Sequence, residues 1–297
     1  HVRPDGDCMG SCMSLYNYLK KNRPDLDVRV FLEFVDKKFN IIENTDQIIT
    51  TGYDGTKFDL FISLDTASLD RLGLNLPFYE NAKRTACIDH HASNDGYADY
   101  NYILPKASSA SEVLYDLLDE DLIDKSIAEP MYMGIAHDSG VFRFQSTTPK
   151  TMRIAANMIE KGVNVNMILE ETFFRKTYNQ MMVTAKIQSE AVLALDGKCI
   201  YGYCTSEMME EYGVTTKDLD AVVASIRNVD GVEVAMFLYQ LSEDSYKVSL
   251  RSKNYVDVSK IAVENGGGGH VRAAGAEIHG KLNDIINKLL NRIKQDI

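Results

Sequence analysis

Short apolar runs rich in β-branched residues alternate with longer helical patterns over roughly the first half of the chain. Three of these runs, 28–34, 59–65 and 85–91, have the length and composition of strands. Strands that alternate with helices in this way indicate a parallel sheet covered by helices. Two of the runs end in polar residues, Asp65 in one and Asp89-His90-His91 in the other, where open α/β sheets place their ligand sites.

A second α/β pattern follows a mostly helical stretch over 149–195. It begins with "KCIYGYC", predicts a helix near 216–227, and continues with "VEVAMFLYQL" and "YKVSLRSK", which resemble a hairpin. We therefore predict two domains, 1–180 and 197–297, joined by a helical connector over 181–196. The "GGGG" run at 266–269 lies in the second of them.

Composition restricts the class of protein. The 297 residues, 45% of them hydrophobic, are enough for two ordinary domains, and no segment approaches the ~18 apolar residues of a membrane span. Five cysteines without a CxxC pair favour a reducing compartment, so we expect a soluble cytoplasmic protein. A net charge of −11 argues against a protein that coats duplex nucleic acid but leaves a small phosphate ligand open.

The chain opens on "HVRPDGD", in which two aspartates follow a histidine around a Pro and Gly turn. A calcium loop of the EF-hand type is excluded because Met9 and Tyr16 stand where it needs oxygen ligands. Alone, the motif is best explained as a turn before a helix that begins near Met9, with Asp7 as its N-cap. Because the chain begins inside this motif with His1, we expect that a native segment precedes it.

Other parts of the chain favour a metal-binding role for this motif over a role as a turn alone. "ACIDHHASNDG" combines two histidines and an aspartate at a strand end, and "GIAHDSGVFRF" adds an aspartate in a turn. If the fold gathers these groups with those of the first motif, four carboxylates meet two imidazoles, and so many like charges need cations. Two divalent ions ~3.5–4 Å apart would meet that need and suit chemistry at phosphorus. The candidate ligands are His1, Asp5, Asp7, Asp65, His90 and Asp138.

The glycine run of the second domain is followed directly by His270. We interpret it as a backbone cradle for an anion, to which His270 and Arg272 add donors. Arg251, on a predicted strand of the same domain, is either a surface residue or a phosphate ligand.

Five motifs in this order resemble the DHH phosphoesterases that carry the DHH-associated C-terminal domain: HxxPDGD, a strand-end Asp, DHH, GIxxD(S/T)GxFR(F/Y) and GGGGH. The resemblance implies an α/β fold, with an N-terminal parallel-sheet domain, a smaller α/β C-terminal domain and an active site in the cleft between them. It implies two metal ions bridged by Asp65. Their ligands would be His1, Asp5 and Asp65 for one ion, and Asp7, Asp65, His90 and Asp138 for the other.

The same resemblance assigns roles around the metals. Asp89 would support a ligand from outside the coordination sphere, and His91 would contact the substrate phosphate or the leaving oxygen. Cys8 and His137 are not ligands in the family pattern, and a soft thiolate does not suit a site of hard carboxylates. The residues that would bind substrate are Arg143, Arg251, Gly267, Gly268, Gly269 and His270.

The resemblance also implies an activity. We expect two divalent ions, Mn²⁺ first with Mg²⁺ and Co²⁺ as alternatives, in a phosphoesterase that hydrolyses short oligoribonucleotides, 3′-phosphoadenosine 5′-phosphate, or both. A cyclic di-AMP or pApA phosphodiesterase is the enzymatic alternative. A nucleotide-binding regulatory module with an inactive site is another, and a structural protein whose aspartates cap turns is the third. The partners would be single-stranded RNA or nucleotides and no membrane, and a homodimer stays open.

Overall fold

The computed structural model describes residues 1–219 and 222–297 and divides them into two compact units, His1–Arg175 and Lys176–Ile297. Both units mix strands with helices, so the α/β class predicted from the sequence is confirmed. In the described part of the chain, no helix combines the length and apolar character needed to cross a bilayer.

The first unit contains two separate parallel sheets, one of strands β1 and β2 and one in the order β3-β4-β5. The three strands predicted from apolar runs are present, each shorter than its run. The strands are β1 (Val30–Phe31), β2 (Ile48–Ile49), β3 (Phe61–Leu64), β4 (Thr85–Asp89) and β5 (Tyr100–Ile103).

Six helices accompany these sheets, and α1 and α4 form the centre of the apolar core. Glycines let these two helices approach closely, since a Cβ on Gly10 would lie only 2.4 Å from the carbonyl oxygen of Pro130. The helices are α1 (Gly6–Asn22), α2 (Leu76–Glu80), α3 (Ala110–Tyr115), α4 (Lys125–Asp138), α5 (Pro149–Glu160) and α6 (Val165–Leu169).

Helix α1 corrects one sequence interpretation, because it begins at Gly6 and its N-cap is Asp5 rather than Asp7. One carboxylate oxygen of Asp5 accepts the backbone N–H groups of Asp7 and Cys8, each at 3.1 Å. Such capping satisfies helix donors that would otherwise have no partner. Asp7 is therefore a residue of the first helical turn, and its side chain points into the unit.

The second unit is built on one six-stranded sheet in the order β10-β11-β9-β8-β7-β6, in which only β7 and β8 run parallel. The predicted hairpin is confirmed, with Ser242 paired to Ser245 across the turn. The strands are β6 (Val192–Ala194), β7 (Cys199–Cys204), β8 (Val234–Ser242), β9 (Ser245–Ser252), β10 (Gly268–His270) and β11 (Ala273–His279).

Helices pack their apolar sides on both faces of this sheet. Val234 and Met236 of β8 belong to one buried cluster and Ala235 and Phe237 to another, so a strand buried on both sides has a continuous apolar sequence. The helices are α7 (Tyr178–Ser189), α8 (Ser206–Tyr212), α9 (Val222–Ile226), α10 (Val258–Glu264) and α11 (Leu282–Ile293).

Two predicted segments have a different form in the structure. Residues 181–196 comprise most of α7 and the strand β6, and Val183 and Ile187 of α7 are buried in a core cluster of the second unit. The helix predicted near 216–227 consists of a 3₁₀ turn at Thr216–Asp218 and the short α9, with 220 and 221 outside the described residues.

Glu233, which precedes β8, anchors the chain that follows β9. Its buried carboxylate accepts the backbone N–H groups of Asn254, Tyr255 and Val256 at 2.8–3.1 Å. Burial opposes ionisation, but these N–H groups hold the pKa of Glu233 below its ordinary value. The ionised carboxylate therefore stabilises the folded second unit.

We expect Glu233→Gln to lower the free energy of unfolding of the second unit by about 1–3 kcal/mol at neutral pH, because a charged acceptor of several N–H groups is lost. Stability that comes from a lowered carboxyl pKa is present above the ordinary pKa and is lost in acid. The difference between wild type and variant should therefore shrink as the pH falls. Calorimetric unfolding at neutral and acidic pH measures both effects, with Glu243→Gln in the exposed hairpin turn as the control. An equal difference at both pH values would contradict this account.

Candidate metal centre

Asp65 lies directly after β3 with a φ of 54°, in the left-handed region that a non-glycine residue rarely adopts. Its backbone N–H still donates to the carbonyl of Ile88, so the strand pairing fixes this conformation. The carboxylate is buried, with Oδ2 3.3 Å from Nε2 of His1 and Oδ1 3.5 Å from Nε2 of His90. The two oxygens of one carboxylate thus face two different imidazoles.

The first of these imidazoles belongs to His1, which lies between two aspartates. Its Nε2 is 3.9 Å from Oδ2 of Asp5, the oxygen that the helix cap does not use. Its Nδ1 is 2.8 Å from the carbonyl oxygen of Val2 and 3.1 Å from a guanidinium nitrogen of Arg71. A cation at Nε2 would select the tautomer in which Nδ1–H donates to Val2, an orientation common among metal-binding histidines.

The second imidazole, His90, faces three carboxylates. Its Nε2 lies 3.1 Å from Oδ2 of Asp138, 3.5 Å from Asp65 and 4.0 Å from Oδ2 of Asp7. This nitrogen is buried and makes no hydrogen bond of acceptable geometry. A buried nitrogen without a hydrogen-bond partner among three carboxylates is a donor set that fits a divalent cation.

Asp7 is held in this cluster by the start of α3 and by a glycine of α4. Its two oxygens accept the backbone N–H groups of Ala110 at 2.6 Å and Ser111 at 3.0 Å. A Cβ on Gly134 would lie 2.7 Å from Oδ1 of Asp7 and 2.1 Å from Oγ of Ser111. A larger residue at 134 would therefore displace the Asp7 carboxylate.

Asp89 and His91 form a separate pair beside the cluster. Asp89 is fully buried, and its Oδ1 lies 2.8 Å from Nδ1 of His91. Its Oδ2 accepts a hydrogen bond from Asn94 at 2.7 Å, and Asn94 also donates to the carbonyl of Thr66. The Asp89 carboxylate therefore orients His91, whose Nδ1 is 3.7 Å from Oδ1 of Asp65.

The electrostatics of the centre reflect a high density of negative charge. Burial, together with repulsion from Asp65 and Asp138, raises the pKa of Asp5 to about 7 and the pKa of Asp7 well above its ordinary value. Although burial opposes charge on the imidazole, contacts with Asp138 and Asp65 raise the pKa of His90 to about 12. Protons are taken up wherever no cation balances the carboxylates, which is the situation that metal ions relieve.

The predicted metal residues are thus brought together. Among the described residues His137 is not grouped with them, although a Cβ on Gly6, between Asp5 and Asp7, would lie only 2.1 Å from its ring. His137 packs between the rings of Phe39 and Phe173, and burial lowers its pKa to about 4. Arg143 is exposed in the turn after α4, whose preceding residues 140–142 all have positive φ. Strain of this kind, in a β-branched and an aromatic residue, is often found at functional sites.

Arg251 and His270, two of the predicted substrate residues of the second unit, lie on β9 and β10, the strands that flank β11. Ala273 of β11 pairs with His270 on one side and with Arg251 on the other, so the side chains of these three residues leave the same face of the sheet. A Cβ on Gly267 or Gly269 would lie only 2.1 or 2.5 Å from a carbonyl oxygen of β11. Close packing on β11 therefore accounts for these two glycines, while Gly268 faces open space.

Sequence reasoning missed several residues that shape the centre. Gly134 carried a signal, since a glycine inside a helix usually has a packing reason. Asn94 also carried one, because this polar residue stands three positions after the DHH motif. Nothing in the pattern indicated that Ala110 and Ser111 would supply N–H groups to Asp7. The opening motif does contain Cys8 among side chains that could bind a cation, but the family pattern excludes it, whereas the structure places it beside His1 and Asp65.

Family comparisons agree with this architecture. A family model described as the DHH family N-terminal domain matches residues 1–135, and one described as the DHHA1 domain matches residues 196–295. A bifunctional oligoribonuclease and PAP phosphatase NrnA from Thermus thermophilus is 31% identical, covering 100% of this chain and 88% of that protein. The chain belongs to the DHH family.

Two further relatives extend the comparison. A bifunctional oligoribonuclease and PAP phosphatase NrnA from Bacillus subtilis is 28% identical, covering 94% of this chain and 88% of that protein. The crystal structure of an exopolyphosphatase-related protein from Bacteroides fragilis superposes with a TM-score of 0.91 at 23% identity, covering 99% of this chain and 91% of that one. The fold of this DHH family member is therefore shared along nearly its whole length.

We expect Gly134→Ala to weaken binding of a divalent ion by about 10- to 100-fold, because the added methyl group displaces Asp7. Calorimetric titration of Mn²⁺ into protein stripped with a chelator measures the change, and circular dichroism checks that the helices remain. Gly52→Ala is the matched control, since a Cβ there meets its nearest neighbour at 3.7 Å. Unchanged ion binding in Gly134→Ala would contradict the expectation that crowding of Asp7 at this glycine weakens the ion site.

Proposed function

We propose that this protein is a metal-dependent phosphoesterase that hydrolyses short oligoribonucleotides and 3′-phosphoadenosine 5′-phosphate with two divalent ions, Mn²⁺ first among them. The observation that carries the proposal is the position of Asp65. Its two oxygens face His1 and His90 separately, with Asp5 beside one imidazole and Asp7 and Asp138 beside the other. This geometry supports two adjacent cation positions that share one carboxylate.

The neighbouring side chains support a hydrolytic role. When bound, divalent ions polarise phosphoryl oxygens and lower the pKa of a bound water. His91 is oriented by Asp89 through its Nδ1 and would use its other nitrogen to hydrogen-bond a phosphate oxygen or to protonate the leaving oxygen. Asn94, in turn, holds the Asp89 carboxylate by donating to its Oδ2, and the other oxygen of Asp89 favours the His91 tautomer with the proton on Nδ1.

The second unit supports recognition of nucleotides by a few donors. Arg251 and His270 flank the small Ala273 on one sheet face, which leaves room for a phosphate or a base between them. Arg143, presented by a strained turn of the first unit, is a further candidate contact. Recognition by a few such groups and by metal ions is compatible with a net charge of −11. The relatives named oligoribonuclease and PAP phosphatase support this choice of substrate.

A substrate panel with Mn²⁺ tests the proposal. We expect release of mononucleotides from RNA dinucleotides to pentanucleotides and release of phosphate from 3′-phosphoadenosine 5′-phosphate, each lost on chelation. A strong preference for cyclic di-AMP, or for pApA over other short RNA, would favour the phosphodiesterase alternative instead. Binding of these nucleotides without turnover would favour a regulatory module.

We expect Asp65→Asn to lower kcat roughly 1000-fold or more, because both cation positions lose their shared carboxylate and with it several kcal/mol of transition-state stabilisation. The loss should exceed that of Asp5→Asn or Asp138→Asn, each of which touches one position. Steady-state kinetics together with metal content by plasma mass spectrometry measure it. Near-normal turnover in Asp65→Asn would rule out the bridging role.

We expect Arg251→Ala to raise KM about 10- to 100-fold for oligonucleotides, since a charged hydrogen bond to phosphate is lost, while the bound metal stays unchanged. Lys247→Ala, the loss of a positive charge on the same strand, is the matched control and should change KM little. A loss of bound metal in Arg251→Ala would contradict the separation of metal and substrate roles.

A further inference from the structure

The sulfur of Cys8 lies among the residues of the first cation position. Cys8 is in the first turn of α1, directly after Asp7, and is fully buried. Its Sγ, a ring nitrogen of His1 and a carboxylate oxygen of Asp65 all lie within 4.8 Å of one another. Three kinds of ligand atom, sulfur, nitrogen and oxygen, therefore meet from two segments of the chain, the opening motif and the end of β3.

A set of sulfur, nitrogen and oxygen ligands indicates which metal ions the position prefers. Zinc-type ions are bound in proteins by cysteine sulfur, histidine nitrogen and carboxylate oxygen, and a catalytic site uses three such protein ligands and keeps one position open. Soft sulfur ligands favour thiophilic ions, whereas Mg²⁺ and Mn²⁺ prefer carboxylates and water. The second position, formed by Asp7, His90 and Asp138, is a grouping of oxygen and nitrogen ligands only. The two positions therefore differ in the ions that they should prefer.

We propose that Cys8 is a sulfur ligand of the cation position formed by His1 and Asp65, and that this position selects Zn²⁺, Co²⁺ or Fe²⁺ over Mg²⁺ and Mn²⁺. The inference rests on the proposed function in that it requires a metal ion between His1 and Asp65. On binding, the Cys8 thiol gives up its proton and the thiolate joins the ion. The centre is then asymmetric: one position contains sulfur, and the Mn²⁺ preference of the proposed function applies to the other position, which has only oxygen and nitrogen ligands.

The expectation from sequence was that Cys8 is not a ligand, because a thiolate does not suit a carboxylate site. The argument holds for the Asp7–His90–Asp138 position, but Cys8 lies next to the other one. Cys12, one turn later on α1 and partly exposed, contacts Cys8. Because Cys12 is not grouped with His1 and Asp65 among the described residues, it is a matched control for Cys8.

Cobalt spectroscopy on the chelator-stripped protein tests the inference without using activity. Titration with Co²⁺ should produce the near-ultraviolet absorption of sulfur-to-cobalt charge transfer as well as the visible bands of bound cobalt. We expect Cys8→Ser and Cys8→Ala to lose the charge-transfer absorption and keep visible bands, and Cys12→Ser to keep both. The affinity for Zn²⁺ relative to Mn²⁺ should fall about tenfold or more in Cys8→Ser, since a coordinating group is lost.

A measurement on the wild-type protein tests the same inference without depending on whether the Cys8 variants fold. X-ray absorption of the zinc-loaded protein should show a sulfur neighbour at ~2.3 Å from zinc. Visible cobalt bands without charge transfer, and zinc without a sulfur neighbour, would overturn the role of Cys8 and leave the metal centre of the proposed function intact. No binding of Co²⁺ or Zn²⁺ at all would overturn both. Charge transfer lost in Cys12→Ser but not in the Cys8 variants would also overturn the assignment.

Discussion

The first unit is organised around the repulsion among buried carboxylates at the ends of its strands and helices. Asp65 and Asp7 are almost wholly withdrawn from water, and Asp138 reaches the same imidazole as both. Taking several like charges out of water costs several kcal/mol for each ion unless a partner compensates. The raised pKa values of Asp5 and Asp7 record that cost, whereas the raised pKa values of His1 and His90 record the attraction of these imidazoles to the carboxylates. The rest of the fold must therefore supply contacts that keep these carboxylates together despite their mutual repulsion.

Backbone N–H groups and close packing hold the carboxylate cluster in place. Asp5 caps α1, two N–H groups at the start of α3 bind Asp7, and strand pairing keeps Asp65 in a left-handed conformation. Charge–dipole contacts of this kind fix a carboxylate without neutralising it. The remaining lone pairs stay directed at the imidazoles, so the cluster is oriented for a cation before any ion arrives. The absence of a side chain at Gly134 is part of the same arrangement.

The sequence predicted the fold class and the identity of the clustered residues well, because strand ends and short-range motifs are local features. The alternation of apolar runs located β3 and β4, and the polar residues that follow them do meet at one edge of the sheet. It did not predict that Asp5, not Asp7, caps α1, since both aspartates satisfy the same local preference and only tertiary packing separates them. The N–H groups of Ala110 and Ser111 are more than 100 residues from Asp7, so no local pattern could reveal that contact.

The placement of Cys8 shows why ligand chemistry cannot be argued from a motif as a whole. In one turn of helix, Asp7 faces His90 while the next side chain, Cys8, faces His1 and Asp65. Successive helical residues are rotated by about 100° from one another, so a single motif can supply neighbouring but chemically different surroundings. A rule that excludes sulfur from carboxylate sites applies to each ion position separately. Asp65 contacts both groups of side chains, the one that contains sulfur and the one that does not, so different atoms face its two carboxylate oxygens.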